Sequence, residues 1–163
     1  MKKLGLLAIV AALTTCSFAQ EPVKPAADHK KLLASKDPKL AANKRLVYDL
    51  WRTILEAGHV EYAEKYMAES YIQHNPNVAT GRAAFVKFFS GIVKPTKIQA
   101  RMKAPLVSIV AEGNMVVLSF VSERPDPQDP KKKYTTTWFD MFRIENGKVA
   151  EHWDSAPKGT TVL

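Results

Sequence analysis

Apolar residues recur at helical spacing in the first half of the chain and at strand spacing in the second, and the change falls at Pro95. Leu46, Val47, Leu50, Trp51, Ile54 and Leu55 lie three and four apart, the stripe of a helix with one buried face. Asp37-Pro38 supplies its start, an N-cap aspartate with proline at the first helical position, and Gly58 marks its stop. Residues 59–67 repeat a shorter helical pattern. Residues 70–77 read as a short extended piece that runs into a turn at Pro76, because proline disfavours the helical region for Asn75. Residues 81–93 form a further helix with Phe85, Phe88, Phe89 and Ile92 along one side. Past Pro95, residues 98–110 alternate as a long strand bent near Pro105, residues 115–122 give another, and the proline-rich, charged stretch 124–133 is an exposed connection.

The strongest local signal comes last. Asn146-Gly147, flanked by apolar, β-branched and aromatic residues, predicts a type I′ hairpin. A regular two-residue turn sets Ile144 opposite Val149, Phe142 opposite Glu151 and Asp140 opposite Trp153. One face then holds Trp138, Asp140, Phe142 and Trp153, and the other holds Phe139, Met141, His152 and Asp154. Both faces are apolar enough to belong in a sheet covered on both sides, which sets the Asp140 carboxylate among aromatic rings. Helices first and strands afterwards predict an α+β domain with helices packed on a mostly antiparallel sheet.

The chain has 163 residues, one domain's worth. Residues 1–19 read as an export leader, with Lys2 and Lys3, an apolar run from Leu4 to Leu13, and small residues before Gln20. That run is too short for a permanent membrane span, so the expected product is exported, periplasmic or secreted. A competing reading tethers Cys16 to a membrane through a lipid. Cleavage after Ala19 removes Cys16, the only cysteine, and with it any disulfide or thiol chemistry. Residues 20–36 read as a flexible linker and residues 37–158 as the folded domain. Two of the 24 basic residues, Lys2 and Lys3, leave with the leader, so 22 remain against 16 acidic ones, a net +6. The lysines are scattered, which gives a solvated basic surface rather than a nucleic-acid-binding stripe.

Asp140 is the main candidate for chemistry, since desolvation among aromatics favours the protonated form and suits proton transfer. His74 is the second. It either exchanges protons with a ligand oxygen at a pocket mouth or braces the turn before Pro76. Trp153, read as cross-strand from Asp140, is a pocket residue, with Tyr48, Trp51 and Trp138 as further candidates for the wall. His152 falls on the face away from Asp140 and is read as a structural hydrogen-bonding partner of Asp154. The histidines show no metal-ligand spacing, and there is no glycine-rich phosphate loop, nucleophile elbow or thiol, so no metal or cofactor is expected.

These residues resemble the SnoaL-like polyketide cyclase family, within the nuclear transport factor 2-like superfamily of cone-shaped α+β domains. The resemblance spans residues 43–156. It rests on Tyr71-Ile72-Gln73-His74-Asn75-Pro76, on the helix after Gly81 with its Phe pair, and on the run from Phe139 to Val149 followed by Glu151-His152-Trp153-Asp154. It implies a cone with N-terminal helices packed on a curved, mostly antiparallel sheet. In cyclase members an aspartate on a strand lining the cone is a general base beside a carbonyl, and Asp140 matches that position. Three readings follow: an acid–base enzyme of the aldol, isomerase or dehydratase type without cofactor, a binder of a small hydrophobic molecule, and a self-associating homodimeric module.

Overall fold

In the computed structural model, which describes residues 20–160, the first long helix begins where its caps predict. A short helix α1 (His29–Leu33) precedes it. Helix α2 (Pro38–Leu50) starts at Asp37, whose carboxylate accepts from the backbone N–H of Lys39 at 2.7 Å and of Leu40 at 3.3 Å. Val47, Leu50 and Ile54 form its fully buried stripe. From Trp51 to Glu56 the same helix widens into a π turn. It ends at Gly58, where φ is +76° and a Cβ would meet the Lys94 backbone at 2.8 Å, so the position demands glycine.

Beyond it, a 3₁₀ turn and α3 (Ala63–Tyr66) lead into strand β1 (Met67–Gln73), and α4 (Arg82–Ile92) follows. The remaining strands are β2 (Leu106–Glu112), β3 (Met115–Pro125), β4 (Lys133–Glu145) and β5 (Lys148–Asp154). They form one sheet of order β1-β5-β4-β3-β2, antiparallel except for β1 beside β5. The α+β expectation holds, as do the type I′ turn, with Asn146 and Gly147 at φ 51° and 72°, and the helix between Gly81 and Val93.

Four expectations are corrected. The strand read over 98–110 forms only from Leu106, because the N–H groups of Met102, Lys103 and Ala104 bond to the Tyr48 hydroxyl and the Glu56 carboxylate instead of a neighbouring strand. The segment read as a flexible linker is docked. Val23 N–H donates to Thr135 Oγ1 at 2.8 Å, Ala26 N–H to Leu106 O at 2.8 Å, and His29 and Leu33 are buried. Residues 1–19, read from sequence as an export leader, lie outside the described residues. Among the described residues no helix is long and apolar enough to cross a membrane.

The third correction concerns register. Ile144 pairs with Val149 as expected, but Arg143 pairs with Glu151, leaving Ala150 as the extra residue of a β-bulge. Every later partner shifts by one: Phe142 faces His152, Met141 faces Trp153, and Asp140 faces Asp154. His152 and Asp154 therefore share the face of Asp140, and Glu151 and Trp153 leave it. The fourth correction follows, since that outer face is not covered among the described residues and leaves Phe139 51 % exposed.

Candidate functional site

Asp140 sits midway along β4, only 5 % exposed. Two indoles converge on it. Trp51, at the first π-turn position, donates from Nε1 to Oδ2 at 2.7 Å, and Trp138, two residues earlier on the same strand face, donates to Oδ1 at 2.8 Å. Trp51 is held in place by packing on Phe120, ring centroids 4.7 Å apart. The carboxylate thus replaces lost water with two N–H donors, one on each oxygen. Beside it Asp154 accepts from Asn75 Nδ2 at 2.6 Å and from the Ala156 N–H at 2.9 Å.

Beside these carboxylates lies His152, 8 % exposed, with Nε2 3.5 Å from Asp140 Oδ1. Its other nitrogen meets Gln73 Oε1 at 2.8 Å. Gln73 Nε2 donates to the Tyr71 hydroxyl oxygen at 3.0 Å. Tyr71 is 1 % exposed, and burial, reinforced by the negative charges of Asp140 and Asp154, pushes its phenol far above the usual tyrosine range. It remains a neutral hydrogen-bond donor and does not act as a base at physiological pH.

These groups line a pocket closed by apolar side chains including Leu55, Val78, Phe85, Phe89 and Phe142. Among the described residues, no lysine or arginine contributes to its wall. Its free volume is about 50 Å³, room for a few waters and well short of the several hundred ångströms cubed of a typical ligand site. A ligand larger than a few heavy atoms enters only if the walls yield.

Asp140, His152 and Asp154 each bring one potential metal-ligand atom within 4.8 Å of the others. All four carboxylate oxygens nevertheless accept N–H bonds from the protein. The hydrogen-bonding needs of both carboxylates are thus met by the protein itself, without an ion.

Of the residues picked from sequence, Asp140, Trp51 and Trp138 come together at this pocket. The others do not. Tyr48 points elsewhere, its hydroxyl 2.9 Å from His29 Nδ1 and accepting the Met102 N–H at 2.8 Å. His74 stacks on Trp153, centroids 4.9 Å apart and 7° from parallel, and its Nε2 meets Glu151 Oε1 at 2.7 Å. Both belong to the outer face with Arg143, on the far side of the sheet from Asp140. Sequence reasoning does not single out Tyr71, Gln73, Asn75, His152 and Asp154 for this pocket. Strand alternation from Tyr71 to Gln73 carries the signal for the first two, and the bulge hid the last two.

Residues 48–152 match the family model of the SnoaL-like domain. None of the curated proteins compared matches the chain. Among solved structures, one from Jannaschia sp. CCS1, provisionally assigned as a SnoaL-like polyketide cyclase, aligns with TM-score 0.51 at 16% identity, over 73% of this chain and 88% of that one. A protein from Acidithiobacillus ferrooxidans, provisionally a polyketide cyclase, aligns with TM-score 0.50 at 14% identity, over 75% and 90%. An NTF2-like protein of unknown function from Burkholderia pseudomallei K96243 gives 0.50 at 15%, over 70% and 89%. At these identities the likeness is one of fold.

Proposed function

The chain belongs to the SnoaL-like domain family, and from that premise we propose that its pocket binds a small, largely apolar carbonyl compound and that Asp140 moves a proton on the carbon beside the carbonyl. One observation carries the reading: a buried carboxylate at the pocket floor stands 3.5 Å from an imidazole nitrogen. Asp140 takes the proton from carbon, the electron pair of the C–H bond becomes a C=C bond as the carbonyl π pair moves to oxygen to give an enolate, and His152 Nε2, 3.5 Å from Asp140 Oδ1, can take the proton on from Asp140. Aldol closure, isomerisation and dehydration all begin with that step. A wall without lysine or arginine among the described residues favours neutral substrates over anionic ones. The reading includes export, with action outside the cytoplasm.

A second reading, binding without turnover, draws support from the two indole N–H groups that already occupy both Asp140 oxygens. One experiment separates the two. A panel of small cyclic ketones is incubated with the protein in D₂O, α-carbon exchange is followed by NMR, and binding is followed by quenching of Trp51 and Trp138 fluorescence. Wild type is expected to exchange deuterium, and Asp140→Asn to lose about 10²–10⁴ of that rate with binding largely kept. Ketone binding without exchange in wild type overturns the catalytic reading in favour of the binder.

A further inference from the structure

The directions of two protons in this site, that of the His152 ring and that of the Tyr71 hydroxyl, trace back to one amide. The backbone N–H of Asn75 can only donate, and it points at Gln73 Oε1 at 3.0 Å. That contact fixes which end of the Gln73 amide is oxygen. The same oxygen is 2.8 Å from His152 Nδ1, so Nδ1 must carry a proton and donate it. A neutral His152 ring then has a bare lone pair at Nε2, the nitrogen facing Asp140. At the other end Gln73 Nε2, a donor only, occupies the Tyr71 oxygen as acceptor. The Tyr71 proton is left free to point into the pocket, and no other hydrogen bond to that hydroxyl exists among the described residues.

We infer that Gln73 is the positioning residue that sets the proton polarity of the pocket, holding His152 Nε2 as the acceptor and the Tyr71 hydroxyl as the donor. One acceptor and one donor on the same wall match a ligand that presents a proton to lose and an oxygen to receive a hydrogen bond, which is the pattern of an enolisable ketone. Tyr71 then meets the carbonyl oxygen where negative charge develops, while the carboxylate–imidazole pair takes the proton. A glutamate at position 73 would erase this polarity, since it accepts at both ends and would claim the Tyr71 proton for itself. The role in turnover rests on the acid–base reading above, whereas the polarity itself is a property of the ligand-free protein.

The test therefore uses no substrate. Long-range ¹H–¹⁵N correlations of the ¹⁵N-labelled protein report which ring nitrogen of His152 carries hydrogen, with the signals assigned by their loss in His152→Gln, at a pH where the ring is neutral. The expected result is the Nδ1–H tautomer, the minor form of a free histidine side chain. In Gln73→Met the acceptor at Nδ1 disappears, and the proton is expected to move to Nε2, toward Asp140 Oδ1. In Tyr71→Phe, one Gln73 side-chain amide proton is expected to lose its hydrogen-bonded shift. An Nε2–H ring in wild type overturns the inference, as does an unchanged tautomer in Gln73→Met, and the wild-type result decides alone if that variant does not fold. A ring with the expected tautomer in a protein that exchanges no ketone leaves the polarity standing and rejects the catalytic reading.

Discussion

Trp51 Nε1 donates to Asp140 Oδ2 across 2.7 Å, tying the first π-turn residue of the long helix to the middle of the sheet. The bond serves two ends at once. It satisfies a buried carboxylate oxygen, and it anchors the helix over the pocket. Trp51→Phe keeps a ring against Phe120 but leaves that oxygen without its donor, and hydrogen bonds to charged groups contribute about 1.5–3 kcal/mol. Chemical denaturation is expected to show a loss of that order, and in the Asp140→Asn background the same substitution is expected to cost clearly less. Equal losses in both backgrounds would mean that the indole acts by packing alone.

On the outer face His74 and Glu151 form a separate cluster with Arg143, whose Nε lies 2.7 Å from Glu151 Oε2. The His74 hydrogen bond, then that of Arg143, holds the Glu151 carboxyl below its ordinary range. A folded value lowered in this way means that the unfolded chain takes up the proton first as pH falls. The stability it confers is thus present above the ordinary glutamate range and lost as pH drops through it to the lowered value. His74→Ala is expected to flatten the acid limb of a Tm-against-pH curve while leaving ketone exchange within about twofold of wild type. A large loss of exchange with an unchanged acid limb would place His74 in the chemistry after all.

His29 carries a second pH dependence, of the docked N-terminal segment. Arg101 Nη2 donates to its Nε2 at 3.0 Å, so Nδ1 keeps the ring's proton and donates to the Tyr48 oxygen. Burial first, and the Arg101 charge second, lower its basicity, opposed more weakly by the charges of Asp28 and Glu56. Below the ordinary histidine range the unfolded chain binds a proton that the folded one refuses, so stability falls as pH falls through that window. Proteolysis within residues 20–36 is expected to quicken in mildly acidic buffer. His29→Gln, which cannot charge, is expected to remove that acceleration, and a cleavage rate independent of pH in wild type would contradict the account.

The legible part of this molecule was local. Asp37-Pro38, the stripe from Leu46 to Leu55 and Asn146-Gly147 each encode their element in a few adjacent residues, and the helices-then-strands order yields the α+β class. Asp140 was legible because a carboxylate among tryptophans is chemically conspicuous. His152 and Asp154 were not, because a single residue, Ala150, is taken out of the ladder by a bulge, and one position of slip exchanges the two faces of a strand. The same slip moves Trp153 out of the pocket and brings His152 into it. Tyr48 lies on the helix margin, and nothing in helical periodicity reports that the 99–103 segment would rise to meet its hydroxyl.

Phe89 tests whether the pocket's narrowness selects its ligand. It lies on α4, packed ring to ring on Phe85 at 4.4 Å, and lines the same pocket as Asp140. With about 50 Å³ free, the wild-type pocket accepts bulk only by displacing such rings. Phe89→Ala opens the wall but is expected to cost about 3–5 kcal/mol, a large share of a small domain's stability. Phe89→Leu removes less volume and is the safer probe. Along a series of cyclic ketones with lengthening alkyl substituents, wild-type affinity is expected to rise and then fall once the chain outgrows the pocket. In Phe89→Leu the fall is expected at a longer substituent, with the smallest ketones bound more weakly for want of contact. An identical cut-off in both proteins would mean that α4 already swings aside for ligands, and that selection lies at the polar floor around Asp140 rather than in the aromatic wall.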